Sequence, residues 1–297
     1  MSTQYRLPTS GLKGLIVGVA LAAASSAAAF AAPTTFTWAP NAVLGGGLAN
    51  IGPANNFNVA DFANIVLPTG GATFTENGYL TVLQFLQGGN PAPAVGLGST
   101  YSLYFGFNGG GAVGGAIPTT AGNAITGAFS SLNYTLYAVL GGQPTVNIAP
   151  GSDPTITTSG TPVPVAYGSL IGGFDTLTKT TNGYSPTANL DLSLHACTAA
   201  GQGNTGFGNV LCTANESGFF LSPLPSDIRL LVGNFSATDS VTTVTPGPLN
   251  DGAANISING GGGNLTIATP EPASMVLFGT GLLGLAVFAR RRAQKGN

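Results

Sequence analysis

Tyr101-Ser102-Leu103-Tyr104-Phe105-Gly106-Phe107 places Tyr101, Leu103, Phe105 and Phe107 on one side of an extended chain and Ser102, Tyr104 and Gly106 on the other. A period of two is the signature of a β-strand with one face turned to a core. The same reading extends outward. Tyr79 to Leu86 is apolar on both faces (Tyr79, Thr81, Leu83, Phe85 against Leu80, Val82, Gln84, Leu86), which predicts a central strand. Short strands are predicted at Thr34–Trp38, Asn58–Leu67 and Ala72–Thr75, and longer extended stretches at Phe129–Leu140, Val163–Leu177 and Asp227–Phe235. Segments rich in glycine and proline, namely Gly45–Pro53, Gly88–Gly98, Gly109–Gly115 and Thr145–Pro164, read as loops. Asn255–Ile258 and Asn264–Ala268 flank Asn259-Gly260-Gly261-Gly262-Gly263, which reads as a hairpin.

The composition supports a folded all-β chain. Hydrophobic residues make up 43% and charged residues only 6%, the reverse of the balance that keeps chains disordered. No run of helical period and no fixed-period repeat appears between the termini. About 240 residues without a long linker are enough for one large core, and the expectation is a single jelly-roll-like β-sandwich over residues 32–269.

The two ends of the chain are of a different kind. At the C-terminus, Pro270-Glu271-Pro272 is followed by the apolar run Ala273–Ala289 and then by Arg290-Arg291-Arg292 within the basic tail 290–297. Seventeen residues of helix at about 1.5 Å each give roughly 25 Å. That just spans a bilayer whose flanking arginines snorkel, and the arginines hold their end in the cytoplasm. At the N-terminus, Arg6 and Lys13 precede and border the apolar stretch Leu12–Ala24, and Ala29-Phe30-Ala31 supplies small residues around a bulky one. This pattern reads as a signal peptide over 1–31, cut by signal peptidase after Ala31, with Ala29 as the alternative.

Pro270, Glu271 and Pro272, the apolar helix and the arginine block together resemble the PEP-CTERM sorting signal, here residues 270–297. The resemblance implies an exosortase as processing partner. It also implies that the membrane helix is temporary, and that Glu271 and its prolines are recognised by another enzyme rather than catalytic here. The implied route is export, an inner-membrane intermediate, and then the cell surface or extracellular matrix.

With both signals removed, two cations, Lys179 and Arg229, stand against nine acids: Asp61, Glu76, Asp153, Asp175, Asp191, Glu216, Asp227, Asp239 and Asp251. Two against nine leaves a formal charge of −7, which excludes a nucleic-acid partner held through clustered phosphate contacts. No cofactor is expected. Gly201-Gln202-Gly203-Asn204-Thr205-Gly206 and Gly279-Thr280-Gly281-Leu282-Leu283-Gly284 fit G-x-G-x-x-G, but neither lies in the βαβ frame that a dinucleotide requires. The acids lack the spacing of a calcium loop; Asp251 with Asn250 and Asn255 is the nearest approach, and solvation of a loop explains it.

Cys197 and Cys212 are the only cysteines, and in an exported chain they pair most simply as one disulfide. Strand alternation over Leu190–Cys197 also aligns Asp191, Ser193, His195 and Cys197, but a disulfide partner for Cys197 argues against a Cys-His nucleophile.

The body of the chain is similar to flocculation-associated PEP-CTERM proteins. The similarity rests on Trp38 in an N-terminal extended segment, on Gly96-Leu97-Gly98-Ser99-Thr100-Tyr101-Ser102-Leu103-Tyr104, on the cysteine pair, on Gly218-Phe219-Phe220 before Pro223 and Pro225, and on Ile258 to Gly263. It implies a non-catalytic exported protein that promotes aggregation together with exopolysaccharide. The alternatives are a carbohydrate-binding module stacking sugars on Trp38, Tyr79, Tyr101, Tyr104, Tyr134 or Tyr137, and a glycan-active enzyme using two of the nine acids.

Overall fold

The computed structural model describes residues 32–68, 72–115, 117–181, 184–203, 211–212, 217–223, 229–236, 241–246 and 254–269. Ala29, Ala31, the signal-peptide region and the whole segment Pro270–Asn297 lie outside these, as do Asn250 and Asp251. Pro33–Thr269 forms one compact unit. Among the described residues no helix is long and apolar enough to cross a membrane.

Eight strands make up the body: β1 (Asn56–Leu67), β2 (Thr73–Gln87), β3 (Tyr101–Val113), β4 (Ala124–Leu140), β5 (Val163–Lys179), β6 (Tyr184–Ser193), β7 (Arg229–Ser236) and β8 (Ala254–Thr269). Each pairs antiparallel with its neighbours in sequence, and β8 returns to pair with β1 from Ala254↔Leu67 to Thr266↔Asn56. The sheet therefore closes on itself. The all-β expectation holds, whereas the sandwich gives way to an up-and-down barrel, because the last strand pairs along the free edge of the first and closes the ladder.

The closing strand carries the glycine run that the sequence suggested was a turn. Asn259 to Gly263 lies inside β8, not at a hairpin tip. The register shifts between Asn259 and Gly261, and Gly260, at φ 82°, takes up the extra residue as a bulge. A second correction falls on Gly109–Gly115, whose first half continues β3 to Val113. A side chain at Gly111 would collide with the Ala128 carbonyl, and one at Gly110 would lie 2.8 Å from that of Phe74. These glycines permit close strand approach rather than chain reversal. The predicted segments Ala72–Thr75 and Tyr79–Leu86 join into the single strand β2.

One end of the barrel is filled from outside the strand ladder. Phe36–Trp38, Ile51–Ala54 and Phe220–Ser222 form a three-stranded sheet. Its Trp38 ring packs 5.7 and 5.6 Å from the inward-facing Phe57 and Phe85, and 4.7, 5.4 and 5.6 Å from Phe36, Phe219 and Phe220. All six rings are buried.

Cys197 and Cys212 are joined, both buried, with Cα atoms 5.6 Å apart. Backbone bonds from Gly201 N–H to the Cys212 carbonyl and from Cys212 N–H to the Gln202 carbonyl, each 2.7 Å, tighten the same loop. With a sequence separation of 15, the cross-link contributes on the order of 3 kcal/mol through the unfolded chain. Reduction, or the double change Cys197→Ser with Cys212→Ser, is expected to lower the thermal midpoint by roughly 5 to 10 °C in a calorimetric scan.

Candidate functional site

Alternation in β1 turns Phe57, Val59, Asp61, Ala63 and Ile65 inward, so a carboxyl occupies an apolar row. The same geometry turns Phe74, Glu76 and Leu80 of β2 and Asp175 and Leu177 of β5 inward. Asp61, Glu76 and Asp175 thus meet in one cavity of the barrel interior, walled by Phe105, Phe107, Phe129, Leu132, Tyr134, Leu190 and Ile258. The cavity volume is about 70 Å³, room for roughly five waters.

Burial dominates the electrostatics. Asp61 is 3% exposed, and loss of solvent pushes its pKa up to about 8 despite the opposing bond from the Phe62 N–H. Glu76 is held well above the usual carboxylate range, first by burial and then by the neighbouring charges of Asp61 and Asp175. Asp175 rises to about 6 by burial, with backbone N–H groups of its own residue and of Gly127 opposing. Oδ1 of Asp61 and Oδ1 of Asp175 are buried without a hydrogen-bond partner. A Cβ at Gly127 would strike the Asp175 carboxylate as placed, so the glycine leaves room for it. Tyr134, whose pKa burial also raises, donates its hydroxyl to the Ser193 carbonyl at 2.7 Å. Among the described residues, no group of three or more His, Cys, Asp or Glu is arranged to hold a metal ion.

A second cluster lies on the outer surface. Tyr79, Tyr104 and Tyr137 pack together, Tyr104 and Tyr137 stacking at 4.8 Å, with Tyr79 6.1 Å from Tyr104. The region predicted as the loop Thr145–Pro164 contains a small hairpin, Thr145–Asn147 with Thr155–Thr157, whose Val146 and Ile156 cover these rings. Asp153 ties this strap down: Asn77 Nδ2 donates to both carboxylate oxygens at 3.2 Å and Asn64 Nδ2 to one at 3.5 Å. Asp153→Ala is expected to cost about 0.5–1 kcal/mol. It should also speed proteolytic cutting within Thr145–Thr157 several-fold, as read by limited proteolysis.

The residues singled out from sequence separate clearly in space. Trp38, Tyr79, Tyr101, Tyr104, Tyr134 and Tyr137 are all buried, so they form core and covered patch rather than a platform for sugar rings. His195 is exposed against Tyr167 at 5.5 Å, while Cys197 is buried in the disulfide and donates its N–H to the Val165 carbonyl. The predicted shared face of His195 and Cys197 therefore ends at His195. Asp191 instead accepts from Arg229 at 2.8 Å, and Lys179 sits 4.6 Å over the Tyr184 ring. Sequence reasoning missed the interior acids because Asp61, Glu76 and Asp175 are scattered along the chain. The available sign was Asp61 standing in the apolar alternation from Phe57 to Ile65.

Fold and cavity define the class: a closed, antiparallel, up-and-down β-barrel enclosing carboxyl groups in an apolar interior. To this body the chain adds a PEP-CTERM protein-sorting motif, matched over residues 268–292, which includes Pro270 to Pro272 and Arg290 to Arg292. The motif marks an exported protein sorted by an exosortase to the cell surface or extracellular space. Comparison with curated proteins and with solved structures returns no match.

Proposed function

We propose that the protein is a non-catalytic component of the bacterial surface or extracellular matrix that promotes cell aggregation together with exopolysaccharide. The observation that carries this reading is the sorting motif at residues 268–292, which makes the barrel the exported cargo. The exterior suits the role. Thr187 and Asn189 are exposed on β6, Asn264 Nδ2 of β8 donates to Asn58 of β1 at 3.2 Å, and the cations Lys179 and Arg229 are engaged with Tyr184 and Asp191. A surface bearing hydroxyl and amide groups exchanges hydrogen bonds with a hydroxyl-rich polymer.

The test is a deletion strain together with the exported protein on a column of the producer's own exopolysaccharide. Loss of flocculation, and retention of the protein on the polymer, are expected. Normal flocculation in the deletion strain overturns the role in aggregation. Turnover of the polymer that a single acid substitution abolishes overturns the non-catalytic reading.

A further inference from the structure

The interior cavity raises a question of charge. Asp61, Glu76 and Asp175 enter it from three different strands, and Tyr134 is the only other titratable side chain among its described lining residues. Among the described lining residues none is basic. The two cations among the described residues face elsewhere, Arg229 onto Asp191 and Lys179 onto Tyr184. Asp61 is more than nine-tenths buried, lines the cavity and keeps Oδ1 unpartnered, as does the Oδ1 of Asp175. A buried acceptor without a donor is costly, and a buried carboxylate without a counter-charge more so.

We propose that the barrel interior is a binding site for a small organic cation, a primary ammonium head on a short apolar body. An ammonium carries three N–H donors and no acceptor, which matches the unpartnered carboxylate oxygens of Asp61 on β1 and Asp175 on β5, with Glu76 of β2 lining the same cavity. The rings of Phe107, Phe129 and Tyr134 add attraction for a cation, and Leu132, Leu190 and Ile258 offer contact to an alkyl chain. The size agrees, since roughly five water-sized positions accept a molecule of about as many heavy atoms. A metal ion fits less well, because no group of three acidic, histidine or cysteine side chains among the described residues has metal-holding geometry.

Charge balance makes the site proton-linked. The ammonium enters with its charge, one buried carboxyl releases a proton to the solvent, and an ion pair remains inside. The titratable groups facing it are Asp61 on β1, Glu76 on β2, Tyr134 on β4 and Asp175 on β5. Binding is therefore expected to strengthen from pH 5 to pH 8, as the released proton becomes easier to lose.

The experiment uses the full chain in mild detergent, titrated calorimetrically and in thermal unfolding with n-butylammonium, n-butanol and tetramethylammonium. The expected result is a concentration-dependent rise in midpoint with butylammonium, binding at least about ten-fold tighter than butanol, and release of about one proton per cation bound near pH 5, where all three acids start protonated. Asp61→Asn and, independently, Glu76→Gln should each weaken binding about ten-fold; the second variant serves if the first does not fold. Butanol binding as tightly as butylammonium, no binding by any probe, or variants that bind butylammonium as tightly as the parent overturns the proposal, and the cavity is then a water-filled or apolar void. Tetramethylammonium matching butylammonium overturns the ammonium head, because it has no N–H to donate. These outcomes are independent of the sorting route and of aggregation.

Discussion

Replacing Trp38 with alanine should be the most damaging single change in the barrel, at about 3–5 kcal/mol. The indole is the only one in the chain, is 1% exposed, and touches five phenylalanine rings drawn from three parts of the fold. Phe36 belongs to its own strand, Phe57 and Phe85 to the barrel wall, and Phe219 and Phe220 to the segment between β6 and β7. Deleting the ring leaves a cavity where all three meet, and aromatic pairs lose about 0.5–1.5 kcal/mol each beyond simple area. Trp38→Phe keeps most of the contact and should cost less than half as much. Chemical denaturation checks the order of the two variants. An alanine variant as stable as the parent would show that the three-stranded sheet does not hold the barrel end.

The second large effect is a dependence of stability on pH that runs opposite to ordinary acid unfolding. In the unfolded chain Asp61 and Asp175 titrate near 3.8 and Glu76 near 4.5. In the folded barrel Asp175 keeps its proton to about pH 6 and Asp61 to about pH 8, and Glu76 moves the same way. Between about pH 4 and pH 8 the native state therefore binds more protons than the unfolded one, so stability is fully present below pH 4 and falls as pH rises. Each unit of separation corresponds to about 1.4 kcal/mol. Water entering the cavity relaxes part of this, and a loss of about 3–5 kcal/mol from pH 4 to pH 8 is expected, or roughly 10 °C in midpoint. Asp61→Asn should flatten the part of the profile between pH 6 and pH 8 and make the variant the more stable protein at pH 8. A midpoint that rises with pH over this range would contradict the buried, protonated triad.

How much of this was legible in the sequence depended on the range of the interaction. Strand alternation is local, so Tyr101 to Phe107 and Asn58 to Leu67 were readable, and the turn of Tyr101, Leu103, Phe105 and Phe107 toward one core holds in the barrel. Closure is not local. It rests on Ala254–Thr269 pairing with Asn56–Leu67 across most of the chain, and the glycines inside that closing strand carry the local mark of a turn. The burial of both faces of β3 had the same origin, because the strap that covers Tyr104 is held by Asp153, far away in sequence. The acidic cavity was hidden for that reason too: Asp61, Glu76 and Asp175 are neighbours only once the strands are in register. The sorting tail, by contrast, is a linear signal meant to be read along the chain, and its match over residues 268–292 coincides with the Pro-Glu-Pro, apolar and arginine elements seen there.

Export through that tail is the claim on which the biological reading rests. C-terminal sequencing of the mature protein from wild-type cells and from cells lacking the exosortase tests it most directly. The account predicts a wild-type product ending near Pro270 to Pro272 and without Arg290 to Arg292, and a membrane-retained product that keeps all three arginines in the deletion strain. The same C-terminus in both strains would contradict it.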